Sequence, residues 1–188
     1  MKGLFKGIKT LKGYLNTNDK LLVIHTTKIW EASFTWHHPV AQEIVAETEK
    51  AIRKKLPMDL VLFLTTISDG ALLYYDEDFC QWGYKIYSVQ EIRDRQQECE
   101  DYYEEDWFSN FIAIGEIVGN SHAIVANIGI PSKNGSGCEL IEGDRIDRVQ
   151  DWPKMSLSFH EWTDFLVLAQ GAKFWDWCAI MSNFYKNG

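Results

Sequence analysis

Apolar and polar residues follow two different periods along this chain. Leu4, Ile8, Leu11 and Leu15 share one face of a predicted N-terminal helix, with Lys2, Lys6 and Lys9 opposite. A basic amphipathic helix can rest on an anionic membrane. Gly3, Gly7 and Gly13 weaken it as a free helix, and docking on its own domain is the favoured expectation. LLVIH and KIWEASFTW then predict a short extended pair within residues 21–36. Pro39 opens a predicted helix with Ala41, Ile44, Val45, Ile52 and Leu56 on one face, and Thr48 interrupts that stripe. Lys50, Arg53, Lys54 and Lys55 load its last turns with cations, which suits the helix dipole. The next helix follows at once. Pro57 suits its first turn, Leu60, Phe63, Leu64 and Ile67 form its apolar face, and Gly70 can end it in a left-handed conformation.

The middle of the chain changes to short apolar runs. ALLYY at 71–75, GYKIYSV at 83–89, FIAIG at 111–115, HAIVANI at 122–128 and CELIE at 138–142 predict strands, and Arg145 to Val149 predicts another. Short turns between them imply mainly antiparallel pairing. Val89 to Tyr103 predicts a charged helix. Ser158 and Glu161 form a capping box at the start of the last helix, with Leu157 and Trp162 positioned as a staple. Phe159, Trp162, Leu166 and Ala169 face inward, and Gly171 stops the helix. The expectation is an α+β single domain: a mainly antiparallel sheet packed by N- and C-terminal helices.

Composition narrows the function. The 188 residues are 46% hydrophobic and 14% aromatic, which excludes global disorder. Eight tryptophans supply large buried area. The net charge of −8 is unevenly spread: residues 1–55 hold 10 Lys+Arg against 5 Asp+Glu, and residues 56–188 hold 9 against 22. The acidic body repels a phosphate backbone and argues against nucleic acid as partner. It attracts a basic protein, although solubility alone is the plainer use of such charge. No apolar run reaches the ~20 residues of a membrane span. Lysines interrupt every apolar stretch of the N-terminus, so a signal peptide is not expected, and the compartment expected is the cytoplasm. Cys80, Cys99, Cys138 and Cys178 are scattered, consistent with buried thiols in reducing surroundings. Asn134-Gly135-Ser136 matches a glycosylation sequon and reads better as a tight turn.

Reactive constellations are not evident. His37 and His38 are adjacent, while His25, His122 and His160 stand alone, so no metal ligand set is expected. The glycine-rich Asn134–Gly137 leads into a strand, where a phosphate cradle should open a helix, and it fails the nucleophile-elbow pattern, leaving Ser136 a weak nucleophile candidate. No catalytic residue and no cofactor are assigned. The most unusual segment is EIRDRQQECEDYYEEDW, residues 91–107. It carries Glu91, Asp94, Glu98, Glu100, Asp101, Glu104, Glu105 and Asp106 against Arg93 and Arg95 only. A solvated helix face explains such charge. Tyr102, Tyr103 and Trp107 among carboxylates also suit contact with a cationic protein, since aromatics anchor and charge steers. The candidate partner-binding residues are Asp76, Glu77, Asp78, Glu98, Asp101, Tyr102, Glu104, Glu105, Asp106 and Trp107.

Four motifs in order carry a family likeness. They are Leu56-Pro57-Met58-Asp59-Leu60 with Phe63-Leu64 and Asp69-Gly70; Gly83-Tyr84-Lys85-Ile86-Tyr87 with Glu91-Ile92; Phe111-Ile112-Ala113-Ile114-Gly115; and Ser158-Phe159-His160-Glu161-Trp162 with Phe165-Leu166 and Gln170 to Trp177. In these the chain resembles the SUKH superfamily, which takes in bacterial immunity proteins and fungal cell-wall-assembly regulators. Asp69-Gly70 stands where relatives usually carry Asn-Gly, a change that keeps the turn chemistry. The segment after the Ile-Gly strand, GEIVGNSHAIVAN, is poorer in Gly and Asp than is usual among relatives. The resemblance divides the chain into an extension, residues 1–38, and a SUKH-like α+β domain, residues 39–188. It implies protein binding without catalysis: neutralisation of a cognate nuclease- or deaminase-type toxin by occlusion, or, alternatively, an intracellular scaffold or regulatory role. It transfers no catalytic residue, and the toxin-facing surface differs among relatives.

Overall fold

The strands pair strictly in chain order, each antiparallel to the next, to give one seven-stranded sheet among the described residues. The computed structural model describes residues 4–16, 20–25, 28–77, 83–120, 122–132 and 137–176. The elements run α1 (Lys6–Leu15), β1 (Lys20–His25), β2 (Lys28–Trp36), α2 (Gln42–Ile52), α3 (Met58–Thr66), β3 (Ala71–Tyr75), β4 (Tyr84–Ile86), α4 (Val89–Tyr103), β5 (Phe111–Ile117), β6 (His122–Pro131), β7 (Cys138–Gly143) and α5 (Phe159–Leu168). Short 3-10 turns occupy Glu104–Asp106 and Val149–Asp151. This is the α+β single domain with an antiparallel sheet that the apolar periods predict.

Helices lie on both sides of the sheet. Neighbouring strand residues point to opposite faces. Gly143 lies against the Trp152 ring, whereas Glu142 accepts the Trp175 indole N–H. Trp152 meets Tyr103 at the end of α4, and Trp175 meets Trp162 of α5. The α4 and α5 layers are therefore on opposite faces, and β5 between them is buried at every position except Glu116. The edge of β7 is itself covered. Leu140 N–H donates to the Leu157 carbonyl at 2.9 Å, Met155 N–H to Leu140 at 2.9 Å, and Glu142 N–H to Pro153 at 3.0 Å. A covered edge presents no row of free backbone groups to another chain.

α1 docks on its own domain. Ile8 and Leu11 are buried, and Phe5, in a left-handed conformation just before the helix, packs its ring 5.8 Å from Phe63 and 6.0 Å from Phe159. Gly7 explains the close approach to α5: its N–H donates to Asp164 Oδ1 at 2.8 Å, and a Cβ there would meet that oxygen at 3.0 Å. A glycine that weakens the free helix thus permits the packed one. Lys12 Nζ donates to the Ile67 carbonyl at the end of α3, and its partial burial lowers its pKa.

Several boundaries depart from the sequence expectation. Pro39 precedes α2 as coil: the Val40 N–H donates to the Leu64 carbonyl, Ala41 is extended (ψ 150°), and the helix begins at Gln42. α2 ends where Arg53 turns left-handed (φ 56°), which separates it from α3, and Pro57 caps α3 rather than entering its first turn. Val45 and Thr48 form the buried stripe of α2, while Ile44 is exposed. β4 spans three residues, since Tyr87 pairs with Ile114 through its N–H and Ser88 begins the α4 capping box. Arg145 to Val149 is not a strand. Asp144 Oδ1 accepts the Ile146 N–H at 2.9 Å, an Asx turn that bends the chain, and the Asp144 carbonyl accepts the Trp152 indole N–H at 2.8 Å. Cys99 and Cys138 are free thiols that burial pushes up to about 11 and about 12. Cys80, Cys178 and Asn134 to Ser136 lie outside the described residues.

Candidate functional site

A Ser-x-x-Glu box starts α4: Ser88 Oγ accepts the Glu91 N–H, and Glu91 Oε2 accepts the Ser88 N–H at 3.0 Å. Glu91 also meets Lys85 Nζ at 2.5 Å. Burial works against its charge, but the Lys85 and Ser88 hydrogen bonds outweigh it and hold its carboxyl below the usual value. One side of α4 buries Val89, Ile92 and Gln96. The Gln96 side-chain oxygen accepts the Ala113 N–H at 3.2 Å, tying the helix to β5.

The outer side of α4 is acidic. Asp94, Glu98 and Asp101 are exposed and, among the described residues, answered only by their own helix: Gln90 donates to Asp94 at 2.9 Å, Arg95 to Glu98 at 2.7 Å and Gln97 to Asp101 at 2.8 Å. Exposed pairs of this kind are worth little and leave the field negative. Glu104, Glu105 and Asp106 form the exposed 3-10 turn that follows, and no side-chain partner meets their carboxylates among the described residues. Tyr102 is 64% exposed beside them, with its ring 4.8 Å from Tyr103 and the Arg145 guanidinium 5.9 Å above it.

Trp107 departs from the expected exposed anchor. It is buried, stacked on Tyr103 at 5.6 Å and edge-on to Phe111 at 5.7 Å and Trp152 at 6.1 Å. It braces the acidic turn from beneath and has no surface to offer. Asp76 is likewise buried, and Glu77 lies 3.8 Å from Lys20. Lys20 belongs to β1 and Arg145 follows β7, the two opposite edges of the sheet. The Asp76–Glu77 segment is therefore not brought together with the acidic end of α4, and Asp78 lies outside the described residues. Glu98, Asp101 and Tyr102 in the last turns of α4 lead directly into the exposed turn of Glu104, Glu105 and Asp106, an acidic ridge along the chain with Trp107 packed behind it.

Two buried clusters were not visible in the sequence. Glu142 accepts from His122 Nδ1 at 2.6 Å, Lys173 Nζ at 2.8 Å and Trp175 Nε1 at 2.8 Å. Burial opposes its charge, yet these donors hold its carboxyl below the usual value. His122 Nε2 faces Asp144 at 3.2 Å, and Lys173 also reaches Asp176 at 3.0 Å. This network fastens the chain after α5 to β7. The second cluster brings Asp59, Ser158 and His160 together as a triad would. Ser158 Oγ and Asp59 Oδ2 both approach the same imidazole nitrogen, Nδ1, at 2.9 and 3.5 Å. A relay needs opposite ring nitrogens. The Ser158 hydroxyl is fully buried and meets Glu161 at 2.7 Å, so the cluster serves as the α5 cap. His122, Glu142 and Lys173 come from segments far apart in the chain, as does Asp59 from Ser158 and His160. Ser158-x-x-Glu161, by contrast, was legible as a capping box.

Among the described residues no group of three or more His, Cys, Asp or Glu side chains could hold a metal ion. No helix among them is long and apolar enough to cross a membrane.

The geometry is that of a packed α+β domain with an acidic outer face, and the sequence comparisons agree with the motif order. The chain is similar to the uncharacterized protein YnaB of Bacillus subtilis (strain 168), 26% identical over 156 residues, which are 83% of this chain and 96% of that protein. Residues 39–166 match the SMI1 / KNR4 family (SUKH-1), and the chain belongs to that family.

Proposed function

We propose that this protein is a binding module that presents the acidic ridge Glu98, Asp101, Tyr102 and Glu104 to Asp106 to a basic protein. The observation that carries the reading is the combination of the exposed Glu104, Glu105 and Asp106 carboxylates, which lack side-chain partners among the described residues, with the aromatic packing of Trp107 behind their turn. Pre-organised charge speeds encounter, and an exposed tyrosine at its centre supplies contact area. In a SUKH-1 chain this favours an immunity protein: the ridge occupies the basic cleft of a cognate nuclease- or deaminase-type toxin in the cytoplasm and displaces its substrate. The mechanism is occlusion and requires no chemical step. A regulatory scaffold of the cell-wall-assembly-regulator type is the second reading, supported by the same family membership.

Co-expression separates the two readings. A toxin domain encoded beside this gene in its native genome is expected to be neutralised by the full chain, and Glu104, Glu105 and Asp106 changed together to Lys should abolish protection while the chain stays folded. Full protection by that triple variant would remove the ridge from the interface. Protection by neither form would favour the regulatory reading.

A further inference from the structure

Thr48, the polar residue that breaks the apolar stripe of α2, is completely buried. Its hydroxyl donates to the Ile44 carbonyl at 3.0 Å and accepts the Arg93 Nε–H at 3.0 Å. One helix thereby orients a guanidinium carried by the other. Arg93 Nη2 is buried with no hydrogen-bond partner among the described residues. A cationic donor left in that state is costly and calls for an acceptor.

Arg93 lines a cleft of about 400 Å³ between α2 and α4, and Arg53, Gln96, Gln97 and Glu100 form its other polar walls. Among the described residues Glu100 is the one acid lining it, and it is already answered by Lys54 Nζ at 2.7 Å and Gln96 Nε2 at 2.6 Å. The Arg53 guanidinium makes no hydrogen bond or close ion pair among the described residues; after the Lys54 and Gln96 hydrogen bonds, its charge also helps hold the Glu100 carboxyl below the usual value against burial. Two arginines with donors to spare thus share one cleft of a protein whose net charge is −8. The C-terminal end of α2 also borders the cleft, and its carbonyls oppose an anion. The two guanidiniums must outweigh them.

We propose that the α2–α4 cleft is an oxyanion-binding site, in which Arg93 and Arg53 donate to a carboxylate or phosphate group. The planar fork of arginine matches both oxyanions. The group arrives either on a small free anion or on an acidic side chain of a protein partner. Thr48 is a positioning residue. This assignment is independent of the acidic ridge, because no ridge residue lines the cleft.

The test is calorimetric and NMR titration of the full chain at constant ionic strength with inorganic phosphate, citrate and the peptide acetyl-Asp-Glu-Asp-amide. The expected result is saturable binding that shifts the Gln97 backbone amide. Arg93→Gln should weaken it about tenfold or more, and Arg53→Ala by a smaller factor. Thr48→Val keeps both charges and should also weaken binding, with Thr48→Ser restoring it. Tighter binding of the peptide assigns the oxyanion to a protein side chain, and tighter binding of phosphate or citrate to a free anion; either upholds the site. Absence of saturable binding, or undiminished affinity in folded Arg93→Gln, overturns it. Should Arg93→Gln fail to fold, undiminished affinity in Arg53→Ala overturns it instead, since Arg53 is exposed.

Discussion

Two groups of carboxylates in this protein have opposite surroundings. Glu142 is buried and receives hydrogen bonds from His122, Lys173 and Trp175. Glu104, Glu105 and Asp106 are exposed and, among the described residues, receive none from side chains. The same functional group therefore does different work in the two places. Buried and fully answered, it fixes the chain after α5 to the sheet. Exposed and unanswered, it leaves a field pointing outward. Acidity counted along the sequence cannot make this distinction, because it depends on which donors the fold brings near.

The largest effect that sharpens the comparison lies under the ridge. Trp107→Ala removes a buried ring that touches Tyr103, Phe111 and Trp152. It should cost about 3–5 kcal/mol in urea unfolding and loosen the ridge with it. Next comes Glu142→Gln, which leaves Lys173 and His122 facing a neutral amide. A loss of about 3 kcal/mol at pH 7 is expected by the same measurement. That penalty has a defined pH dependence. The folded carboxyl of Glu142 is held below its ordinary value of 4.5. Its stabilisation is complete above that value and disappears as pH falls through the lower folded value. The difference between wild type and Glu142→Gln should therefore shrink below pH 4.5 and stay constant above it. A penalty that grows on acidification would contradict the assignment. The smallest effect on stability belongs to the ridge itself. Glu104→Lys, Glu105→Lys and Asp106→Lys should leave the urea midpoint essentially unchanged, since these exposed groups make no side-chain interaction among the described residues.

Much of the architecture was legible from local pattern. The charged run from Val89 to Tyr103 became α4, and Ser158 with Glu161 marked the start of α5, because caps and periodicity are properties of neighbours in sequence. Tertiary competition explains the misses. The segment before α2 is tied to the Leu64 carbonyl through the Val40 N–H and stays extended through Ala41, and the Asp144 side chain bends a segment whose composition suits a strand. The candidate surface was legible in its charge and not in its aromatics. Tyr102 and Trp107 read alike among carboxylates, yet Trp107 finds Phe111 and Trp152 beneath it while Tyr102 remains at the surface. Thr48 looked like a flaw in an apolar stripe until its Arg93 partner, from another helix, was seen.

The most direct test of an outward field is kinetic. A basic protein partner captured by the full chain from its native host is mixed by stopped flow with wild type and with the Glu104, Glu105, Asp106 triple lysine variant, at low and high salt. A ridge that steers association predicts an encounter at least about tenfold slower for the variant at low salt, with a flattened salt dependence and a little-changed dissociation rate. Equal association rates and equal salt slopes for the two proteins would contradict it.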